Sequence, residues 1–303
     1  MPEFAEIVEV SARDGIQNEP KILGLTQRVR LIERAREAGL CRFEVGSFVS
    51  ATKVPQMAGT DQLVRDLPAE LRADAIGLVL SKVGFERACA AGCSEVNFVI
   101  VLSDTFSLRN QGRDTAACVA LWREIYSAMP AGMRSCVTFA AAFGCPFEGE
   151  VTRARLEAVL SEIGDALPDE LSLADTIGVA VPRDIRDRIK AVQAFAPDKP
   201  LRLHLHNTRN TGYANVFAGL EQGVSIFEAS LGGVGGCPFA PRATGNIATE
   251  DLIYMLERSG ISTGVDLDRA IKAAEWLEGA LNIQAPGLVL RAGGFPALER
   301  VAT

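Results

Sequence analysis

Short β-branched runs alternate with amphipathic stretches along the whole chain. The runs that read as strands are EIVEV (6–10), RFEVGSF (42–48), DAIGLVLS (74–81), EVNFVIVLS (95–103), RSCVTFAAAF (134–143), ELSLADT (170–176), LRLHLHN (201–207) and IFEASLGG (226–233). Between them lie helical patterns: LTQRVRLIERAREAG, ERACAAG, ACVALWREIYSAM, TRARLEAVLSEIGDAL, RDIRDRIKAVQAF, YANVFAGLEQG and EDLIYMLERSG. Gly at several helix ends and Pro near helix starts agree with capping chemistry. Strict strand–helix alternation implies parallel strands joined by crossover helices. Eight such units predict an α/β fold, a closed (β/α)8 TIM barrel rather than an open doubly wound sheet. DLDRAIKAAEWLEGALN predicts one further helix, covering the barrel from the C-terminal side. No linker or repeat divides the chain, so residues 1–303 are expected to form a single domain, with the barrel over about 6–260 and a C-terminal helix and tail over about 261–303.

In such barrels the active site lies at the C-terminal ends of the strands. That rule collects SARDGIQNE after the first strand, Glu44 in the second, Asp175 and Thr176 at the end of the sixth, and GGVGGCPFAPRATGN after the eighth. The seventh strand carries the only two histidines of the chain, His204 and His206. Side chains two apart on a strand share a face. Both imidazoles therefore point into the barrel, with Leu203 and Leu205 outward, and make a natural pair of metal ligands. Asp14 can add a carboxylate and Asn246 an amide oxygen, although composition alone does not pair these two with the histidines. A mixed nitrogen and oxygen set without thiolate favours Mg²⁺, Mn²⁺ or a similar ion over structural zinc.

Composition narrows the class. Hydrophobic residues make up 48% and charged residues 23%, ordinary for a soluble globular protein. A net charge of −7 disfavours a nucleic-acid partner, though local arginines can still bind an anionic small molecule. The seven cysteines include no C-x-x-C pair, and an odd count without a signal sequence points to a reducing, cytoplasmic setting. No apolar run reaches the ~18 residues of a membrane span. The glycines Gly232, Gly233, Gly235 and Gly236 lack the Lys-Ser/Thr of a P-loop.

VEVSARDGIQNE, FEVGSFVSATKVPQM, LSLADTIGV, LHLHNT and GGVGGCPFAPRATGNIATEDLIYML together resemble the hydroxymethylglutaryl-CoA lyase family, in order, over about residues 6 to 255. The resemblance implies a metal site of Asp14, His204, His206 and Asn246, and an Mg²⁺ or Mn²⁺ cofactor. It assigns Arg13 to the thioester oxygen, Cys237 to a mobile loop, Glu44 and Asp175 to the acidic residues of the active site, and Ser47 and Asn110 to the substrate cleft. It also implies an acyl-CoA substrate and a homodimer, with no membrane or nucleic-acid partner. The family splits a 3-hydroxy-3-methylglutaryl thioester into acetyl-CoA and acetoacetate. A divalent ion acidifies the C3 hydroxyl, a guanidinium stabilises the thioester enolate, and Cys237 is a plausible acid for C2.

Several positions depart from the family pattern. Asn207-Thr208-Arg209-Asn210 stands where the family usually has Asp-Thr-Tyr-Gly, Pro20 where a lysine is usual, Ala51-Thr52-Lys53 where Pro-Lys-Trp is common, and Arg242 where a small residue is. All fall at the expected barrel mouth, so lyase chemistry with a different preferred acyl chain is the expectation. A condensing enzyme of the homocitrate or isopropylmalate synthase type, a 4-hydroxy-2-oxo acid aldolase and a catalytically silent scaffold remain the alternatives.

Overall fold

The computed structural model describes residues 1–236 and 245–296. Eight parallel strands close into a barrel: β1 (Glu6–Glu9), β2 (Phe43–Ser47), β3 (Ala75–Val79), β4 (Glu95–Val101), β5 (Arg134–Ala140), β6 (Glu170–Asp175), β7 (Leu201–Leu205) and β8 (Ile226–Ala229). Neighbours in sequence are neighbours in space, and β8 closes on β1 from Glu6↔Ile226 to Glu9↔Ala229. The (β/α)8 expectation holds. Most strands stop short of their sequence patterns for a local reason. The β4 pattern ran to Ser103, but that hydroxyl caps the helix Asp104–Gln111 by accepting from Phe106 N–H at 3.3 Å. The β8 pattern ran to Gly233, but Leu231–Gly233 turns as a 3₁₀ segment with Gly232 at φ 70°.

The expected helices are all present. Thr60–Asp66, Ala69–Arg72 and Asp104–Gln111 are additional, and too short to announce a 3.6-residue period. Trp122 shows how helices dock. It is fully buried, tilts against Phe98 of β4 at 5.7 Å between ring centroids, and donates from Nε1 to the Ala166 carbonyl at 2.8 Å. The C-terminal helix Leu267–Leu281 buries Ala270, Ala273, Ala274, Leu277 and Leu281, a single apolar stripe. It packs on helix Leu25–Glu37 and on the Leu231–Gly233 turn, beneath the segment that follows β8. No helix among the described residues is long and apolar enough to cross a membrane, and the six described cysteines are free.

The barrel interior is charged. Interiors of this fold are commonly filled by branched hydrocarbon side chains; here Val8, Val10 and Ile76 form a small apolar cluster apart from the main core. At the floor, Arg42 at the head of β2 crosses the lumen to Glu95 of β4 (Nη2–Oε1 2.7 Å) and Glu170 of β6 (Nη1–Oε2 2.9 Å). Arg202 of β7 meets Glu170 (Nε–Oε1 2.7 Å) and Glu228 of β8 (Nη1–Oε1 3.2 Å) as ion pairs with bent N–H geometry. Contacts from β2 to β6 are possible only across the lumen. Charges this deep persist only when paired. Arg42→Met should therefore lower the unfolding free energy by roughly 3 kcal/mol, because it leaves Glu95 and Glu170, both buried, to share Arg202. Urea denaturation followed by circular dichroism measures this, and a loss below about 1 kcal/mol would contradict the pairing argument.

Candidate active site

Beyond β1 the chain makes one π-helical turn, Ser11–Gly15, in which Gly15 N–H returns to the Val10 carbonyl at 3.2 Å. The wide turn sets Arg13 and Asp14 side by side at the barrel mouth. Glu9 anchors it from below: Oε1 accepts from Ser11 N–H (2.8 Å) and Leu231 N–H (3.1 Å), and Oε2 from the Thr249 hydroxyl (2.6 Å). One buried carboxylate thus ties the loops after β1 and β8 together.

Arg13 is paired with both Asp14 and Glu44. Glu44 also accepts from Asn97 Nδ2 at 2.9 Å, and Asn97 Oδ1 accepts from the Thr138 hydroxyl at 2.8 Å. Burial raises the Glu44 carboxyl, against the nearby Arg13 charge. Burial opposes the ionised form of Asp14 too, but Arg13 and the two histidines hold it below the usual carboxylate range.

His204 and His206 both point into the barrel, as the two-residue period predicts, with Nε2 atoms 3.0 Å apart. His204 Nδ1 lies 2.6 Å from Glu228 Oε2, while buried His206 Nδ1 has no partner. Each Nε2 is 4.0 Å from Asp14 Oδ2. Burial pushes both rings down. Glu228 and Asp14 outweigh it at His204, which sits above the usual value, whereas His206, beside His204, falls to about 3. Asp14, His204 and His206 each offer a ligand atom within 4.8 Å of one another. The 3.0 Å spacing suits adjacent donors about 2.1 Å from one ion, and two bare Nε2 lone pairs at that distance need a cation or a shared proton between them. The donor set fits a divalent metal.

Asn246 reaches the site because the chain returning past Gly245 pairs with β7: Asn207 N–H donates to the Gly245 carbonyl (2.9 Å), and His206 and Asn246 bridge antiparallel. Asn246 Nδ2 donates to Asp14 Oδ2 (2.8 Å) and the Val234 carbonyl (3.1 Å), so the amide steadies Asp14. Its Oδ1 accepts nothing among the described residues. Gly235 (φ 114°) and Gly245 (φ 102°) form a backbone neck here. A side chain at 235 would strike Asn246 Nδ2 at 2.7 Å and the Asp14 carbonyl at 3.0 Å, which dictates glycine. Cys237 and Arg242 lie outside the described residues.

The remaining expected residues divide. Ser47, at the end of β2, is buried with an unpartnered hydroxyl. Asp175 ends β6, and both its oxygens accept backbone N–H groups, from Val179 (2.8 Å) and Ala180 (3.0 Å); burial pushes it up to about 6. It shapes the loop after β6. Asn110 is exposed on helix Asp104–Gln111, away from the clustered residues. Arg209 Nη1 donates to the carbonyls of Ile177 (3.0 Å) and Gly178 (2.8 Å), fastening the β6 loop to the β7 loop. Sequence reasoning missed Glu228, Arg202, Asn97 and Thr138. The available signal was polar residues two apart on apolar strands (R-x-H-x-H on β7, E-x-N on β4), which mark a polar lumen.

A closed barrel whose C-terminal rim gathers a carboxylate, two imidazoles and a fixed arginine defines a barrel enzyme with a candidate metal centre. The HMGL-like family matches residues 5–277, and the chain belongs to it. It is 44% identical over 96% of its length to an (R)-citramalyl-CoA lyase of Chloroflexus aurantiacus, covering 95% of that protein. It is 36% identical over 96% to the mitochondrial hydroxymethylglutaryl-CoA lyase of Mus musculus, covering 90% of that protein. Among solved structures, an HMG-CoA lyase from Acinetobacter baumannii in complex with coenzyme A and 3-methylmalate superposes with a TM-score of 0.92 at 34% identity, over 99% of this chain and 98% of that one. The chain is an enzyme of the lyase class, as these relatives are.

Glu250 braces the loop after β8 by accepting from Gly232 N–H at 3.0 Å, and burial pushes its carboxyl up to about 8. A native group above its ordinary value of 4.5 stabilises the fold below that value and loses this contribution as pH rises through about 8. Glu250→Gln removes the proton uptake. Its melting temperature relative to the parent should rise between about pH 6 and pH 9; scanning calorimetry reads this, and a constant difference would refute the assignment.

Proposed function

We propose that the protein is a divalent-metal-dependent carbon–carbon lyase that cleaves a five- or six-carbon 3-hydroxy-3-methyl diacid thioester of coenzyme A into acetyl-CoA and a keto acid. The observation that carries the reading is the convergence of Arg13, Asp14, His204 and His206 at the barrel mouth, with Asn246 against Asp14. Asp14, His204, His206 and Asn246 would hold Mg²⁺ or Mn²⁺, which makes a bound hydroxyl more acidic.

The chain's own groups divide the rest of the work. Arg13, oriented by Glu44 and Asp14, presents fixed positive charge where the thioester oxygen gains negative charge. Among the mouth carboxylates, Asp175, near 6, is best matched to accept the C3 hydroxyl proton, since Asp14 is held too acidic. As that proton leaves, the C2–C3 bond breaks, its electron pair passes to the acetyl enolate, and Cys237 protonates C2. In this reading the Ser47 hydroxyl, which has no hydrogen-bond partner among the described residues, would bind a polar group of the acyl chain, and exposed Asn110 would meet the coenzyme.

Citramalyl-CoA is the preferred substrate in this reading, with hydroxymethylglutaryl-CoA second. The support is the 44% identity to a citramalyl-CoA lyase, the five-carbon hydroxy diacid bound in the Acinetobacter neighbour, and the Arg209 cation at the mouth. With Mn²⁺ the purified protein should release acetyl-CoA and pyruvate from citramalyl-CoA, at higher kcat/KM than it releases acetyl-CoA and acetoacetate from hydroxymethylglutaryl-CoA. EDTA should abolish both reactions and Mn²⁺ restore them, and Cys237→Ala should lower kcat by about 10²–10⁴-fold. A faster six-carbon substrate would reverse the order of preference; cleavage of neither would sink the lyase reading.

A further inference from the structure

Among the described residues, the pair of histidines has one hydrogen-bonding partner beyond itself. Glu228 Oε2 lies 2.6 Å from His204 Nδ1, the two Nε2 atoms lie 3.0 Å apart, and buried His206 Nδ1 has no hydrogen-bond partner among the described residues. His206 has nothing of its own to choose which nitrogen carries its proton, so it must follow His204. Glu228 itself is held from behind: Arg202 Nη1 stands 3.2 Å from its other oxygen, and Arg202 is locked to Glu170, which Arg42 also holds. Arg42 and Arg202 carry two positive charges against the three fully buried carboxylates Glu95, Glu170 and Glu228, with half-exposed Arg134 and Glu6 at the edge of the set, 3.8 Å from Glu95 and 3.6 Å from Arg42.

We propose that Glu228 is the positioning residue of the metal site, fixing His204 in the Nδ1–H form so that Nε2 is left bare toward Asp14 and His206. The inference rests on the metal-site reading above and goes beyond it, since Glu228 donates no ligand. A carboxylate can take Nδ1–H of His204 on one oxygen while the other faces the Arg202 cation as an ion pair. An amide cannot. In Glu228→Gln the amide oxygen must face Arg202, which only donates, and the NH₂ must face His204 Nδ1. The proton then moves to His204 Nε2, into the space the ion needs, and His206 takes the Nδ1–H form in response.

Because the chain has only two histidines, ¹⁵N-histidine labelling yields a spectrum of two rings. In metal-free protein at about pH 9, above the ordinary imidazole range, long-range ¹H–¹⁵N correlation should show one ring in the Nδ1–H form with a strongly downfield proton, and one in the Nε2–H form. His206→Gln assigns the first to His204. Glu228→Gln should reverse both rings and weaken Mn²⁺ binding by calorimetry about 10–100-fold, and Glu228→Asp should restore the tautomer and most of the affinity. An unchanged tautomer and Mn²⁺ affinity within twofold in folded Glu228→Gln overturns the proposal. Should that variant not fold, the parent spectrum decides: His204 in the Nε2–H form overturns it, and Nδ1–H sustains it. Parent protein that binds no Mn²⁺ but shows the stated tautomers would remove the metal reading and leave the ring assignment standing.

Discussion

Charges inside the barrel exist only in one another's company, and the rest of the molecule is arranged around that condition. Arg42, Glu95, Glu170, Arg202 and Glu228 stand at the floor, with Arg13, Asp14, Glu44 and the histidines above them. Each would be prohibitively costly to bury alone. Together they make a rigid polar column in which every side chain's position is set by its neighbours' charge. The column also gives the strands a register requirement, since a one-residue slip would turn the whole set into the apolar layer under the helices.

The column explains why function sits at one end. At the floor, cations and carboxylates satisfy each other. At the mouth, the pairing is left incomplete: the two Nε2 atoms face each other, Ser47 has no partner, and Asn246 Oδ1 accepts nothing among the described residues. Unfinished polar groups at a barrel's C-terminal rim are what a metal and a polar substrate complete.

The loops around the mouth are tied down by buried carboxylates as well as by contacts among themselves. Glu9 joins the loops after β1 and β8, Glu250 holds Gly232, and Asp175 holds Val179 and Ala180. The glycine neck at 235 and 245 then lets the chain leave and return through one narrow passage beside Asp14. Arg209 adds a tie between the β6 and β7 loops that a tyrosine there could not make with two carbonyls. The departure at Arg209 thus falls on a tie between two rim loops, while Arg13, Asp14, His204, His206 and Asn246 stand in the clustered site.

The strands, the main helices and the inward pair of histidines were legible from the chain alone, because each is written in a local period: two for strands, about 3.6 for helices. Arg13, Asp14, Glu44, His204, His206 and Asn246 were named in advance and come together, the last through the return pairing with β7. What tertiary structure alone decided is which polar residues meet. Glu228 lies 24 positions from His204, and Arg42 lies 128 from Glu170. Glu228 meets His204 through the parallel pairing of β8 with β7, and Arg42 meets Glu170 across the lumen; no local pattern encodes either. Asp175 and Asn110 make the same point from the other side. Strand position suggested Asp175 and the family resemblance suggested Asn110, but the structure shows Asp175 organising its own loop and Asn110 exposed on a helix.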